Sequence, residues 1–229
     1  MSKALFIIGF AAVLGACDSG NNTTANTSAD SSSHSAQAGM AGDTAAMTHG
    51  TGTAAMAGGH SMMSIMQRNM DQMKSMQSTG NPDQDFAALM KVHHMGAVEM
   101  AQLEMAQGTD SQLKQMAQRM IDEQQREITE LDAFLSGNAS NGAQGRNDAF
   151  HKETMNQMNN MKMDMNHSGS VDKQFAQMMI PHHQGAIDMA KAYLKSGAQD
   201  GKLKTLANKL IKDQQQEIND LQAWLAKNK

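Results

Sequence analysis

Apolar residues recur with a helical period along most of this chain, and no stretch alternates as a strand would. The clearest run is Leu113, Met116, Ala117, Met120, Ile121, Ile128, Leu131 and Leu135. Steps of three and four place these on one face of a helix. The pattern predicts six helices, over about 61–78, 83–107, 111–136, 148–166, 171–196 and 201–227. Asn81-Pro82-Asp83 opens the second, and Gly108 and Gly197 close the second and the fifth.

The six helices fall into two copies of one unit. DFAALMKVHHMGAVEMA, from Asp85, is matched by QFAQMMIPHHQGAIDMA, from Gln174. The offset of 89 residues pairs Phe86 with Phe175, Met90 with Met179, His93-His94 with His182-His183, and Met100 with Met189. After a one-residue shift, IDEQQREITELDAFL matches IKDQQQEINDLQAWL. An all-α bundle of two tandem repeats, each of about three helices, follows, with the repeats at 61–137 and 148–229.

The first sixty residues break this pattern. Ala4 to Ala16 form an apolar run behind Lys3, too short for the roughly 20 residues that span a bilayer, and with the anatomy of a signal peptide. It ends in Leu14-Gly15-Ala16-Cys17, the pattern of a lipobox, so residues 1–16 are expected to be removed and Cys17 to carry lipid. Cys17 is the sole cysteine and has no disulfide partner. Residues 17–60 are Ser, Thr, Asn, Ala and Gly seeded with Met40, Met47, His49, Met56 and His60, and predict a disordered tether. The expectation is an exported periplasmic or cell-surface lipoprotein held to the bilayer by its lipid alone. With Lys3 gone, 18 basic residues stand against 23 acidic ones, and no basic block exists, which argues against nucleic acid as a partner.

The candidate chemistry lies in methionine and histidine. The chain has 24 methionines and 9 histidines. Met90 precedes His93 and His94 by three and four residues, and Met179 stands in the same relation to His182 and His183, so a thioether and an imidazole share a helix face. Met100 and Met189 lie two turns further on. Gly96, Ala97, Gly185 and Ala186 leave room for close approach, and Pro181, directly before His182, is expected to kink its helix. Thioether with imidazole points to Cu(I), with Ag(I) as a mimic. The methionines of the first and fourth helices, Met62, Met66, Met70, Met73, Met76 and Met155, Met158, Met161, Met165, suit a core stripe and a metal ladder equally. The glutamine-rich segments DEQQREI and KDQQQEI read as solvated faces without chemistry. No Glu-x-x-His occurs, which argues against a di-iron oxidase. A structural bundle with an adaptable methionine surface is the other alternative.

The His-His pair after a methionine, the A-x-x-M-A that follows and the Q-x-x-E-I near the end of each repeat resemble the domain of unknown function 305, the CopM-like family, over about 83–135 and 171–225. The resemblance implies a ferritin-like helical bundle, a periplasmic or surface location, and copper binding linked to copper tolerance. A protein that sequesters or hands on copper without turnover, with a partner that donates or accepts the metal, is the resulting expectation. The implied ligands are Met90, His93, His94, Met100, Met179, His182, His183 and Met189. Met95 against Gln184 is a departure between the copies that would make the two sites unequal.

Overall fold

Side-chain oxygens set where the helices begin. Ser61 accepts the N–H of Ser64, Asn81 that of Asp83, Asp110 that of Leu113 and Ser170 that of Lys173, while Asp200 accepts two, from Lys202 and Leu203. Each satisfies a donor that the first turn leaves without an internal partner. The helices that follow are α1 (Met62–Ser75), α2 (Pro82–Gln107), α3 (Ser111–Gly137), α4 (Ala149–Asn160), α5 (Val171–Lys195) and α6 (Gly201–Lys227). They come from a computed structural model that describes residues 61–138, 147–160 and 169–228. Residues 1–60, where a leader, Cys17 and a tether are expected, and Met161 and Met165 lie outside the described residues. No described helix is long and apolar enough to cross a membrane.

The helix bounds match the sequence expectation closely, with three differences. α1 stops at Ser75 because the next turn is taken elsewhere. Asp85 accepts the Ser78 hydroxyl, the Thr79 hydroxyl and the Thr79 N–H, and Asp148 accepts the Ser78 hydroxyl as well. Gly197 ends α5 with a positive φ of 82°, the conformation that favours glycine, but Gly108 ends α2 at φ −64°. What Gly108 supplies is space, since a Cβ there would fall 2.2 Å from a carboxylate oxygen of Glu104. Finally, α5 runs through Pro181 without a break.

α2 packs with α3 and α5 with α6, and the two hairpins join across α2 and α5. α1 lies on α2 and touches α5, while α4 lies on α5 and touches α2. α2 is therefore covered on nearly every side, which explains why its apolar residues run round the helix instead of forming one stripe. α1 comes close enough for the buried Asn69 to donate to the Val92 carbonyl at 2.6 Å. Gly96 permits it: a Cβ there would sit 2.5 Å from the Asn69 side chain.

Two aspartates 89 residues apart lock the halves together. Asp83, at the start of α2, accepts the Tyr193 hydroxyl at 2.6 Å and the N–H groups of Gln199 and Asp200 in the α5–α6 turn. Asp172, at the start of α5, accepts the N–H groups of Thr109 and Asp110 and the Thr109 hydroxyl in the α2–α3 turn. Each repeat thus caps the turn of the other.

Candidate metal site

Where α2 and α5 cross, the first histidine of each pair meets its counterpart. The rings of His93 and His182 stack with centroids 3.8 Å apart, tilted by 38°. Both side chains are buried. Nδ1 of His93 and both ring nitrogens of His182 lack a hydrogen-bond partner in the protein. Burial, and then the neighbouring imidazoles, holds both rings well below the usual histidine pKa; for His93 a backbone hydrogen bond at His182 opposes this only in part. At neutral pH the rings are uncharged, so each offers one nitrogen with a lone pair and carries its proton on the other. A buried polar atom without a partner carries a cost of about 1–3 kcal/mol.

The stack borders a cavity of about 540 Å³ between α1, α4 and α5. Its wall holds His93 and His182 with Met66, Met70 and Met73 of α1, Met158 of α4 and Met189 of α5. Thr154, whose buried hydroxyl is also without a partner, stands on the same wall. Asn156, Gln157 and Asn160 of α4 and Gln184 of α5, all polar, line it too, and the carboxylates of Glu153 and Asp188 are the charges there. The lining thus sets five thioethers and two uncharged imidazoles beside these oxygen donors. The thioethers and imidazoles suit a soft monovalent ion. Among the described residues no three His, Cys, Asp or Glu side chains converge as a zinc-type site would require.

The second histidine of each pair turns to a different neighbour. His94 Nε2 donates to Glu127 Oε2 of α3 at 2.9 Å. Glu127 in turn accepts from Lys209 at 2.9 Å. Burial pushes the Glu127 carboxyl up, but the hydrogen bonds from His94 and Lys209 outweigh it and hold it below the usual carboxylate range. His183 repeats the arrangement more loosely, with Nε2 3.0 Å from Glu217 Oε2 but off the hydrogen-bonding direction. Met90 and Met189 lie in one core cluster, and Met100 and Met179 in the other. The antiparallel crossing thus groups the methionine before one histidine pair with the methionine after the other. Of these four, Met189 alone is among the residues lining the cavity.

Glu127 and Glu217 belong to the Q-x-x-E-I segments, to which sequence reading assigned no chemistry. The signal was present. Gln124 and Glu127 fill the gap in the α3 apolar stripe between Ile121 and Ile128, and a polar residue on a buried stripe marks a buried polar contact.

Comparison with known proteins agrees with this architecture. CopM in its Cu(I)-bound form is 26% identical, with a TM-score of 0.50, covering 63% of this chain and 96% of CopM. The crystal structure of a DUF305 protein from Streptomyces coelicolor shares the fold at 22% identity and a TM-score of 0.51, over 66% of this chain and 95% of that one. An uncharacterized protein of Acanthamoeba polyphaga mimivirus is 41% identical over 58 residues, 25% of this chain and 38% of that protein's length. The family described as domain of unknown function (DUF305) matches residues 18–135 and again residues 136–225. With both repeats matched and the helical bundle in place, this chain belongs to the DUF305 family.

Proposed function

We propose that the protein binds Cu(I) in the cavity between α1, α4 and α5 and holds it there without turnover, as an extracytoplasmic store that limits free copper. The observation that carries this reading is the pair of buried, uncharged imidazoles with bare ring nitrogens on a wall of thioethers. His93 and His182 with Met66, Met70, Met73, Met158 and Met189 are the proposed ligands, and Ag(I) is expected to compete for them. Similarity to CopM, solved with Cu(I), supports the same reading. In this reading His94 and His183 orient the crossing through Glu127 and Glu217, as outer partners commonly do at metal sites. Met90, Met100 and Met179 back the site from the core. The same reading includes export with a lipid on Cys17, and a partner protein that loads or removes the metal.

The test is a Cu(I) titration of the reduced protein against a chromophoric chelator, followed by native mass spectrometry. Met to Leu keeps shape and apolarity and usually costs less than about 1.5 kcal/mol, yet leucine cannot ligate. Met66→Leu with Met70→Leu and Met73→Leu is expected to leave the melting temperature nearly unchanged and weaken Cu(I) binding at least about tenfold, the equivalent of 1.4 kcal/mol. Met90→Leu with Met179→Leu is expected to weaken it less. Unchanged copper binding in the first variant would remove those sulfurs from the site. No saturable Cu(I) binding by the wild type would end the proposal.

A further inference from the structure

On the far side of the histidine pairs, α3 and α6 enclose a second, smaller space of about 10 Å³. That is roughly the volume of one water-sized occupant. Apart from Leu210, every side chain on its wall carries an oxygen donor: Glu123, Gln124 and Glu127 from α3, and Asp213, Gln214 and Glu217 from α6. They form three pairs, each related by the 90-residue repeat, so the donors come from both halves of the molecule alike.

Three observations point to a cation. Gln124 and Gln214 are each 97% buried, and Oε1 of each has no hydrogen-bond partner. Oxygens of this kind on a cavity wall are ligands in search of a positive charge or a donor. Four carboxylates surround the space, and a cation already reaches them. The Lys209 ammonium contacts Glu123, Glu127 at 2.9 Å and Asp213 at 3.0 Å. Lys209 is 48% exposed, so it can swing out to solvent. In this structure the carboxylates reach for the ammonium, and they do not converge on one point.

We propose that this seam is a second cation site, of oxygen-donor instead of thioether chemistry, which takes a hard divalent ion in competition with the Lys209 ammonium. Glu127, Glu217, Gln124 and Gln214 are its proposed ligands, a set suited to oxygen-liganded ions and poorly matched to Cu(I). The site shares no direct ligand with the cavity between α1, α4 and α5; Glu127 and Glu217 also hold His94 and His183, so the arm that separates the two proposals is a substitution at Glu123.

Mn²⁺ is the probe, followed in the full chain by the loss of the free-ion electron paramagnetic resonance signal at moderate salt. One saturable Mn²⁺ per chain is expected. Lys209→Met removes the competing charge and should tighten binding roughly tenfold or more, while Glu127→Gln with Glu217→Gln should weaken it by at least that factor. Glu123→Gln, on a partly exposed side chain that leaves His94 untouched, gives the same direction of change if the double variant fails to fold. If neither the wild type nor Lys209→Met binds Mn²⁺ saturably, the space holds a water and the proposal is wrong. It is equally wrong if Mn²⁺ binds but ignores the glutamate substitutions, because the ion then sits elsewhere.

Discussion

The two ends of the α2–α5 pair are built from the same positions and solved with different chemistry. At one end Asp83 caps the α5–α6 turn and accepts the Tyr193 hydroxyl, and Tyr193 stacks on Phe86 at 4.1 Å with Phe150 edge-on to both. At the other end Asp172 caps the α2–α3 turn, but the repeat-related position of Tyr193 is Glu104. A phenol gives its hydrogen bond at any ordinary pH, and burial followed by Asp83 pushes the Tyr193 pKa higher still. A carboxyl beside a carboxylate can donate only when protonated. Glu104 is fully buried, and its oxygens approach Asp172 without reaching regular hydrogen-bond geometry. Burial first, and then Asp172, raises its pKa to about 8. Asp172 goes the other way. Burial pushes its carboxyl up, but the hydrogen bonds from Asp110 and Thr109 hold it below the usual range. One end thus joins its aspartate to a phenol in an aromatic trio, and the other sets a buried carboxyl beside a carboxylate.

The contrast is open to direct attack, and the largest effect should come from the aromatic end. Phe86→Ala removes a fully buried ring from a stacked trio and is expected to cost about 3–5 kcal/mol in chemical denaturation. Phe175→Ala, its repeat counterpart, loses similar burial but no ring pairing of the kind worth about 0.5–1.5 kcal/mol, so it should cost less. Equal losses would show that the aromatic trio adds nothing beyond area.

Next in size is the response to pH. Glu104 binds its proton more tightly folded than unfolded, so between about pH 4.5 and 8 the folded state carries the extra proton and stability falls as pH rises, by at most about 1.4 kcal/mol per unit. Asp172, with a lowered pKa, acts with the opposite sign and on the acid side of that window. Glu104→Gln should flatten the fall between pH 6 and 8.5 in melting experiments. A slope unchanged by that substitution would place the titrating group elsewhere. The smallest effect belongs to Tyr193→Phe. Asp83 keeps the N–H groups of Gln199 and Asp200, so the loss should be about 1 kcal/mol. A loss above about 3 kcal/mol would mean that the phenol, more than the backbone, holds the turn.

These ends also mark where the sequence was legible. Helix number, the described helix bounds to within a few residues, and the repeat followed from period and offset, because local spacing reports which face of a helix is covered. Which helix covers it is a matter of topology. Spacing alone suggested that Met90 and His93 close on one ion within a helix. The antiparallel crossing instead stacks His93 on His182 and brings the α1 methionines to the same wall. Met66, Met70 and Met73 read equally as core and as ligands because they are buried and also line a cavity. Glu104 escaped notice since a lone acidic residue in a helix is usually solvated, and only its alignment with Tyr193 sets it apart.

The crossing of α2 on α5 is self-complementary. His93 meets its own counterpart, and the contact from Asp83 to the far turn is answered by the contact from Asp172 back. This is the isologous geometry of a twofold dimer, closed here within one chain. A protein with a single repeat could form it only by pairing two copies, and every substitution would then appear twice. Joined in tandem, the halves need no second molecule and no threshold concentration. They are also free to drift apart, and the drift is visible in Val92 against Pro181, Met95 against Gln184 and Glu104 against Tyr193. An internal dimer can afford a phenol at one end and a second carboxyl at the other, which a dimer of identical chains cannot.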